Sequence, residues 1–201
     1  MTYYPGLTAA YIGLYLFIFF VGATVGSFLN VVIYRVPRQI SFVAGRSFCP
    51  HCKRQLAPFD MIPILSRLLL RGRCRYCGAP IPARYMLVEG LTGLLAAVTV
   101  AVYGANWTAV AVFALEGGLV AIAFIDLDTM EIPNGLVLYL FLPALALVFL
   151  LPGVSPLAHG IGFLTVSLPL FLITLAIPGA FGGGDIKLMA VPGLALGWQL
   201  T

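Results

Sequence analysis

An all-α polytopic membrane protein is the fold class this sequence predicts, with a basic, zinc-ribbon-like loop between its first and second spans. Three observations predict it. Apolar residues make up 61% of the chain and charged residues only 9%, with a mean hydropathy of +1.05, whereas soluble domains carry about 25% charged residues. Apolar runs near the roughly 20 residues that a span requires recur along the chain. Ten of the eleven Lys and Arg residues lie between Arg35 and Arg84, where Asp60 is the only acid.

The first segment, 1–34, holds the first expected span, at 8–34. It is too long for the ~7–15-residue core of a signal peptide and lacks basic residues in front, so no cleavable signal is expected. Gly22 and Gly26 in it have the small-xxx-small spacing that lets helices pack closely. Residues 35–84 follow as a basic loop of about fifty residues, which the positive-inside rule places in the cytoplasm. Its charge suits anionic lipid headgroups. No recognition module accompanies the basic residues, so nucleic acid is not an expected partner.

Within the loop, "CPHCKRQL" and "CRYCGAPI" set Cys49, Cys52, Cys74 and Cys77 as two C-x2-C knuckles. Tetrahedral zinc takes four thiolates from two such turns, and a four-cysteine site is closed and therefore structural. Disulfides are the rival reading, but the expected topology places these thiols in a reducing compartment. His51, inside the first knuckle, is expected to be solvated or to sit beside the ligands without being one.

Further spans are expected at 85–103, 107–126, 134–151 and 158–178, forming with the chain end a third segment, 85–201. Gly104 to Asn106 and Pro152-Gly153 mark turns. A sixth apolar run begins at Ile186 and reaches only to Thr201, which reads as a truncated span. With the loop inside, alternation brings Asp126 in "FIDLDTMEIPN" and Asp185 in "GGGDIKLM" to the same face of the membrane. Ionisable residues beside spans are costly and usually functional. Two carboxylates sharing one water cannot both ionise cheaply. The ionised one then takes a proton from water while the protonated one polarises a scissile carbonyl. Helix capping is the plainer role for Asp128, Glu131 and Asn134, and neutralisation of Asp185 the plainer role for Lys187.

Those two stretches resemble the GxGD aspartyl proteases of membranes, and specifically the type IV prepilin peptidases. The likeness extends in order through "GSFLNVVIYRVP", the cysteine loop with "IPILSRLLLRGRCRYC", and "PARYMLVEG", although Met86 and Gly90 stand where the family has Pro and Leu. The resemblance implies a GxGD-type helix bundle in which Asp126 and Asp185 are catalytic and Gly182 and Gly184 are the motif's glycines. Asp126 is preferred to Asp128 because it stands seven residues before Pro133. Asp128 and Lys187 would support the site. The implied activity is removal of the basic leader from prepilins or pseudopilins of pilus and type II secretion systems. It would occur at the cytoplasmic face of the bacterial inner membrane. N-methylation of the new amino terminus from S-adenosylmethionine would follow, with Gly72 and Glu89 as candidates for that site. A tight turn is the plainer role for Gly72, and a cap or a pair with Arg84 for Glu89. The other readings are an ion-coupled secondary transporter, which favours broken helices near the midplane, and a non-catalytic assembly scaffold carrying a zinc module.

Overall fold

The computed structural model describes residues 5–43, 45–151 and 153–198. Among them it has seven α-helices and no strand beyond two isolated bridges. These are α1 (Pro5–Arg35), α2 (Leu65–Leu69), α3 (Arg84–Tyr103), α4 (Trp107–Thr129), α5 (Asn134–Leu150), α6 (Pro156–Ala176) and α7 (Gly183–Leu196), with a 3-10 turn at Pro58–Met61. Two compact units divide between Val102 and Tyr103.

Among the described residues, four helices are long and apolar enough to cross a membrane: α1, α3, α4 and α6. The run at 134–151, counted above as a span, is the 17-residue α5. At 1.5 Å per residue it is about 26 Å long, just under the ~30 Å hydrocarbon core. Pro152 and the end of the chain at Thr201 lie outside the described residues.

In the first unit α1 packs on α3 through the glycines that the spacing singled out. A Cβ on Gly22 would lie 2.5 Å from Ala96 Cβ and 2.7 Å from the Thr92 carbonyl oxygen. One on Gly26 would press on Thr92 Oγ1 and lie 2.9 Å from Glu89 Cα. Side chains here would hold the backbones apart, which is the physical use of small residues between apolar helices. Gly26→Val is therefore expected to destabilise this unit by about 1–3 kcal/mol through overpacking. Gly13→Val, at a position with nothing within 4 Å, should leave the detergent-phase melting temperature unchanged. At the last residue of α1, the buried Arg35 gathers the loop by donating to the Ser41 carbonyl at 2.8 Å and the Arg46 carbonyl at 3.1 Å.

The second unit is built on α5 and α7. Val137, Leu140 and Ala144 of α5 bury against Val191 and Ala195 of α7, with Ala111, Leu115 and Ile122 of α4 closing the core. The expected turn before α4 is present: Gly104 has φ +76°, and the Asn106 side chain caps the helix by accepting from the Ala109 N–H at 3.0 Å. Helices α6 and α7 meet backbone to backbone at Gly162 and Gly193. Beside that crossing, the fully buried His159 bonds through Nδ1 to the Leu194 carbonyl at 2.8 Å.

Candidate active site and metal centre

The two knuckles are near-copies of one another. The Cys49 N–H bonds to the Arg54 carbonyl at 2.9 Å and the Lys53 N–H to the Cys49 carbonyl at 2.9 Å. In the second, Cys74 N–H bonds to Ala79 at 2.8 Å and Gly78 N–H to Cys74 at 3.0 Å. Each turn needs a left-handed residue straight after its second cysteine, filled by Lys53 (φ +58°) and Gly78 (φ +69°). One bridge closes each, Phe48 with Gln55 and Arg73 with Pro80.

These turns bring the four sulfurs within 4.8 Å of one another. Zinc–sulfur bonds of about 2.3 Å in a tetrahedron separate sulfurs by roughly 3.8 Å, and Cys49 Sγ lies 3.9 Å from Cys77 Sγ. No disulfide joins them. Cys49 and Cys74 are buried, Cys52 and Cys77 exposed. The Cys77 and Tyr76 backbone N–H groups bond to the Cys74 sulfur and lower its pKa to about 7, while, against the Ala79 backbone bond, desolvation and the other cysteines push Cys77 up to about 11, so the first thiolate of the cluster falls on Cys74. The four cysteines fit a zinc ion. His51 is exposed and stands apart from the cluster.

The acidic motifs meet at one end of the second unit. Helix α4 runs through Asp126 and Asp128 to Thr129 and stops at Met130, which takes a left-handed C-cap (φ 54°) and donates to the Asp126 carbonyl at 2.7 Å. Pro133 caps the start of α5 with extended backbone. At α7 the glycines bring the two segments together: a Cβ on Gly184 would lie 2.9 Å from Ile132 Cβ. Asp185 Oδ2 accepts from the Gly182 N–H at 3.0 Å, across the first turn of α7. Asp126, Asp128 and Asp185 are all exposed. Two expectations are corrected. Lys187 Nζ bonds to Asn134 Oδ1 at 3.1 Å, tying α7 to α5, and no ion pair joins it to Asp185. Asn134, read as a helix cap, is the first residue of α5 and spends its side chain on that lysine.

Gly72 and Glu89 lie in the first unit. Gly72 has φ +69°, its N–H bonds to the Arg67 carbonyl at 2.8 Å and its carbonyl accepts from Ile81 at 2.7 Å, so it is the tight turn expected. A Cβ there would press the Arg67 guanidinium at 3.2 Å. Glu89 is buried, and neither caps a helix nor pairs with Arg84: its Oε2 accepts from the Ile64 backbone N–H at 2.7 Å. Ile64 follows a proline and sits at φ +63°, a conformation a β-branched residue resists. The carboxylate holds it there. A cavity of about 190 Å³ opens between α1, α3 and the zinc loop, and Glu89 and Arg67 line it with Asn30. Sequence reading missed Asn30. It stands in the quoted "GSFLNVVIYRVP", and a polar amide deep in an apolar span is the signal that could have found it.

Helices of spanning length, a four-cysteine loop and a glycine-started helix bearing an acid define a polytopic helical membrane protein with a loop whose cysteines could hold a metal ion. Residues 20–103 match the bacterial Peptidase A24 N-terminal domain and residues 113–201 the type IV leader peptidase family. Curated relatives named prepilin leader peptidase/N-methyltransferase include one from Myxococcus xanthus, 41% identical over 91% of this chain and 56% of its own length. Others come from Aeromonas hydrophila, 38% identical over 90% of this chain and 73% of the relative, and Bacillus subtilis, 37% identical over 92% and 74%. The chain belongs to the type IV leader peptidase family. It spans little more than half the length of the Myxococcus relative. No solved structure matches it significantly.

Proposed function

We propose that this chain is a membrane aspartic endopeptidase that removes the leader from type IV prepilins or pseudopilins, and that it also methylates the new amino terminus. The observation that carries the reading is the meeting of the "FIDLDTMEIPN" turn with the GxGD helix start, at Gly184 against Ile132 and Lys187 on Asn134. Asp126 and Asp185 are the carboxylates, one activating water and the other polarising the scissile carbonyl. Gly184 keeps the two segments close. Asp128 and Lys187 act as supports. The basic loop orients this end toward the cytoplasm, in the bacterial inner membrane, by the positive-inside rule. A substrate with a charged leader before an apolar helix presents its cleavage site at that boundary. Incubating detergent-solubilised protein with a prepilin and following leader loss by mass spectrometry tests it. A transporter or scaffold leaves the prepilin intact.

Methylation belongs to the first unit in this reading. S-adenosylmethionine would supply an activated methyl group, and Glu89 and the Gly72 turn shape the space for it. Positioning alone supplies much of such a rate. The Asp185→Asn protein should therefore still transfer label from S-adenosylmethionine to a pilin that already has its mature amino terminus. No transfer by that protein, beside robust transfer by the parent, would tie both activities to the aspartates.

A further inference from the structure

Two apolar groups of the cysteine loop lie open. Just beyond α1, Ile40, Phe42 and Val43 are exposed, Val43 to 85%. On α2 the same holds for Leu65, Leu68 and Leu69, the last to 81%. Residues three and four apart share one face of a helix, so α2 turns a single leucine stripe outward. Exposed apolar residues scattered singly are ordinary. It is the depth of these two groups along the spans that sets them apart.

Two contacts fix that depth. The Phe42 ring packs edge-on against Phe28, with centroids 6.5 Å apart. Phe28 lies seven residues before the end of α1, about 10 Å back along the helix at 1.5 Å per residue, and is itself 50% exposed. The chain that leaves α1 therefore folds back beside the open side of its own span. At the other end of the loop, the Ile64 N–H meets Glu89 Oε2 at 2.7 Å. Glu89 is the sixth residue of α3, about 8 Å into that span, and Leu65 follows Ile64 directly. Both apolar groups thus stand level with turns of α1 and α3 that belong to the apolar spans, and not in the water beyond the helix ends.

Charge supplies the sign of the partner. Arg46, three residues after Val43, and Arg71 and Arg73, just after α2, are exposed. None of them takes part in an ion pair among the described residues. Apolar side chains at the acyl boundary with basic ones beside them are the pattern of a segment lying in a membrane interface, and basic residues there are drawn to anionic headgroups.

We propose that the cysteine loop rides half-sunk in an anionic leaflet, the cytoplasmic one in the orientation proposed above. Ile40, Phe42, Val43 and the leucine face of α2 enter the acyl boundary, and Arg46, Arg71 and Arg73 lie among the phosphates. The partner is a lipid surface and not a protein. The bilayer then holds the loop at two points besides the cysteines and sets its height over the helix ends.

Quenching of a single tryptophan tests this. Trp107→Phe and Trp198→Phe remove the chain's two tryptophans, and either Val43→Trp or Leu69→Trp is then added to the full chain. Each protein is placed in nanodiscs of phosphatidylcholine with or without phosphatidylglycerol. Acyl-brominated lipid is the membrane quencher and acrylamide the aqueous one. Both tryptophans should be quenched by the brominated lipid and shielded from acrylamide, more fully in the anionic discs. Arg71→Gln and Arg73→Gln, added to the Leu69→Trp protein, should lower the ratio of inserted to water-exposed loop by about fivefold per charge. Parental zinc content in each variant reports an intact loop. Strong acrylamide quenching with none from the brominated lipid overturns the proposal. Shielding that appears only when a prepilin is added overturns it too, and makes this surface a protein-docking site. Quenching that is equal in both kinds of disc and unmoved by the arginine changes also overturns it, since the anionic headgroups then have no part.

Discussion

Asp126→Asn and Asp185→Asn are each expected to abolish leader removal, by at least the ~10²–10⁴-fold that a positioned acid or base contributes. The substitutions are nearly isosteric, and the local structure tolerates both. Asp126 lies on the last turn of α4, where the bond that caps the helix comes from its carbonyl and not from its carboxylate. Asp185 accepts from the Gly182 N–H, and an amide oxygen can accept there too. What the second change removes is the charge near the start of α7, worth about 0.3–1 kcal/mol to a helix. Membrane insertion and detergent-phase melting should stay close to the parent while cleavage disappears. Asp128→Asn should keep most of the activity, since Asp128 points from a different position of the same helical turn. Cleavage at the parent rate by the Asp126 variant would sink the dyad.

The metal should matter nearly as much, by another route. Purified protein is expected to carry about one zinc per chain, and Cys49→Ser or Cys74→Ser should lose it, because three thiolates no longer complete the tetrahedron. Structural zinc contributes about 10–16 kcal/mol to small metal-folded modules, and this loop has little else. Its helical content is the five-residue α2 and the turn at Pro58–Met61, and its one ion pair among the described residues is Arg75 with Asp60 at 2.7 Å. Stripping the metal should therefore unfold residues 48–81 and take methyl transfer with it. Cleavage, which the proposed function assigns to the second unit, should fall less. Metal analysis and alkylation of the thiols check this together. No metal, with all four thiols freely reactive, would refute the site.

Much of this was legible before any fold was known, and the legible parts share a property. Spans, knuckles and motif glycines are written in local spacing. An unbroken apolar run of about 20 residues is helical in lipid, because a helix satisfies its backbone hydrogen bonds within the run, while the alternative, a closed barrel, uses shorter alternating strands. Two cysteines three positions apart bracket a turn whatever surrounds them, and the bonds from Cys49 to Arg54 and from Cys74 to Ala79 bear that out. Gly22 and Gly26 announced a close contact through their four-residue period, though not its partner on α3.

Partner choice among polar side chains was not legible. Lys187 stands two residues from Asp185 in the sequence, yet bonds to Asn134 on another helix. Glu89 is five residues from Arg84, yet accepts from Ile64 in the loop. Asn30 shows in the sequence only as a polar amide within an apolar span, and its partner and surroundings appear only once α1, α3 and the cysteine loop enclose it. By itself the sequence determined the helical membrane class, the four-cysteine staple and which acids lie beside spans, since each follows from short-range pattern and from the solvent the chain must face. Only the tertiary structure decided which polar groups meet and which of them line a cavity. A buried hydrogen-bonding group must find a partner wherever packing happens to bring one, and packing joins residues that spacing keeps far apart.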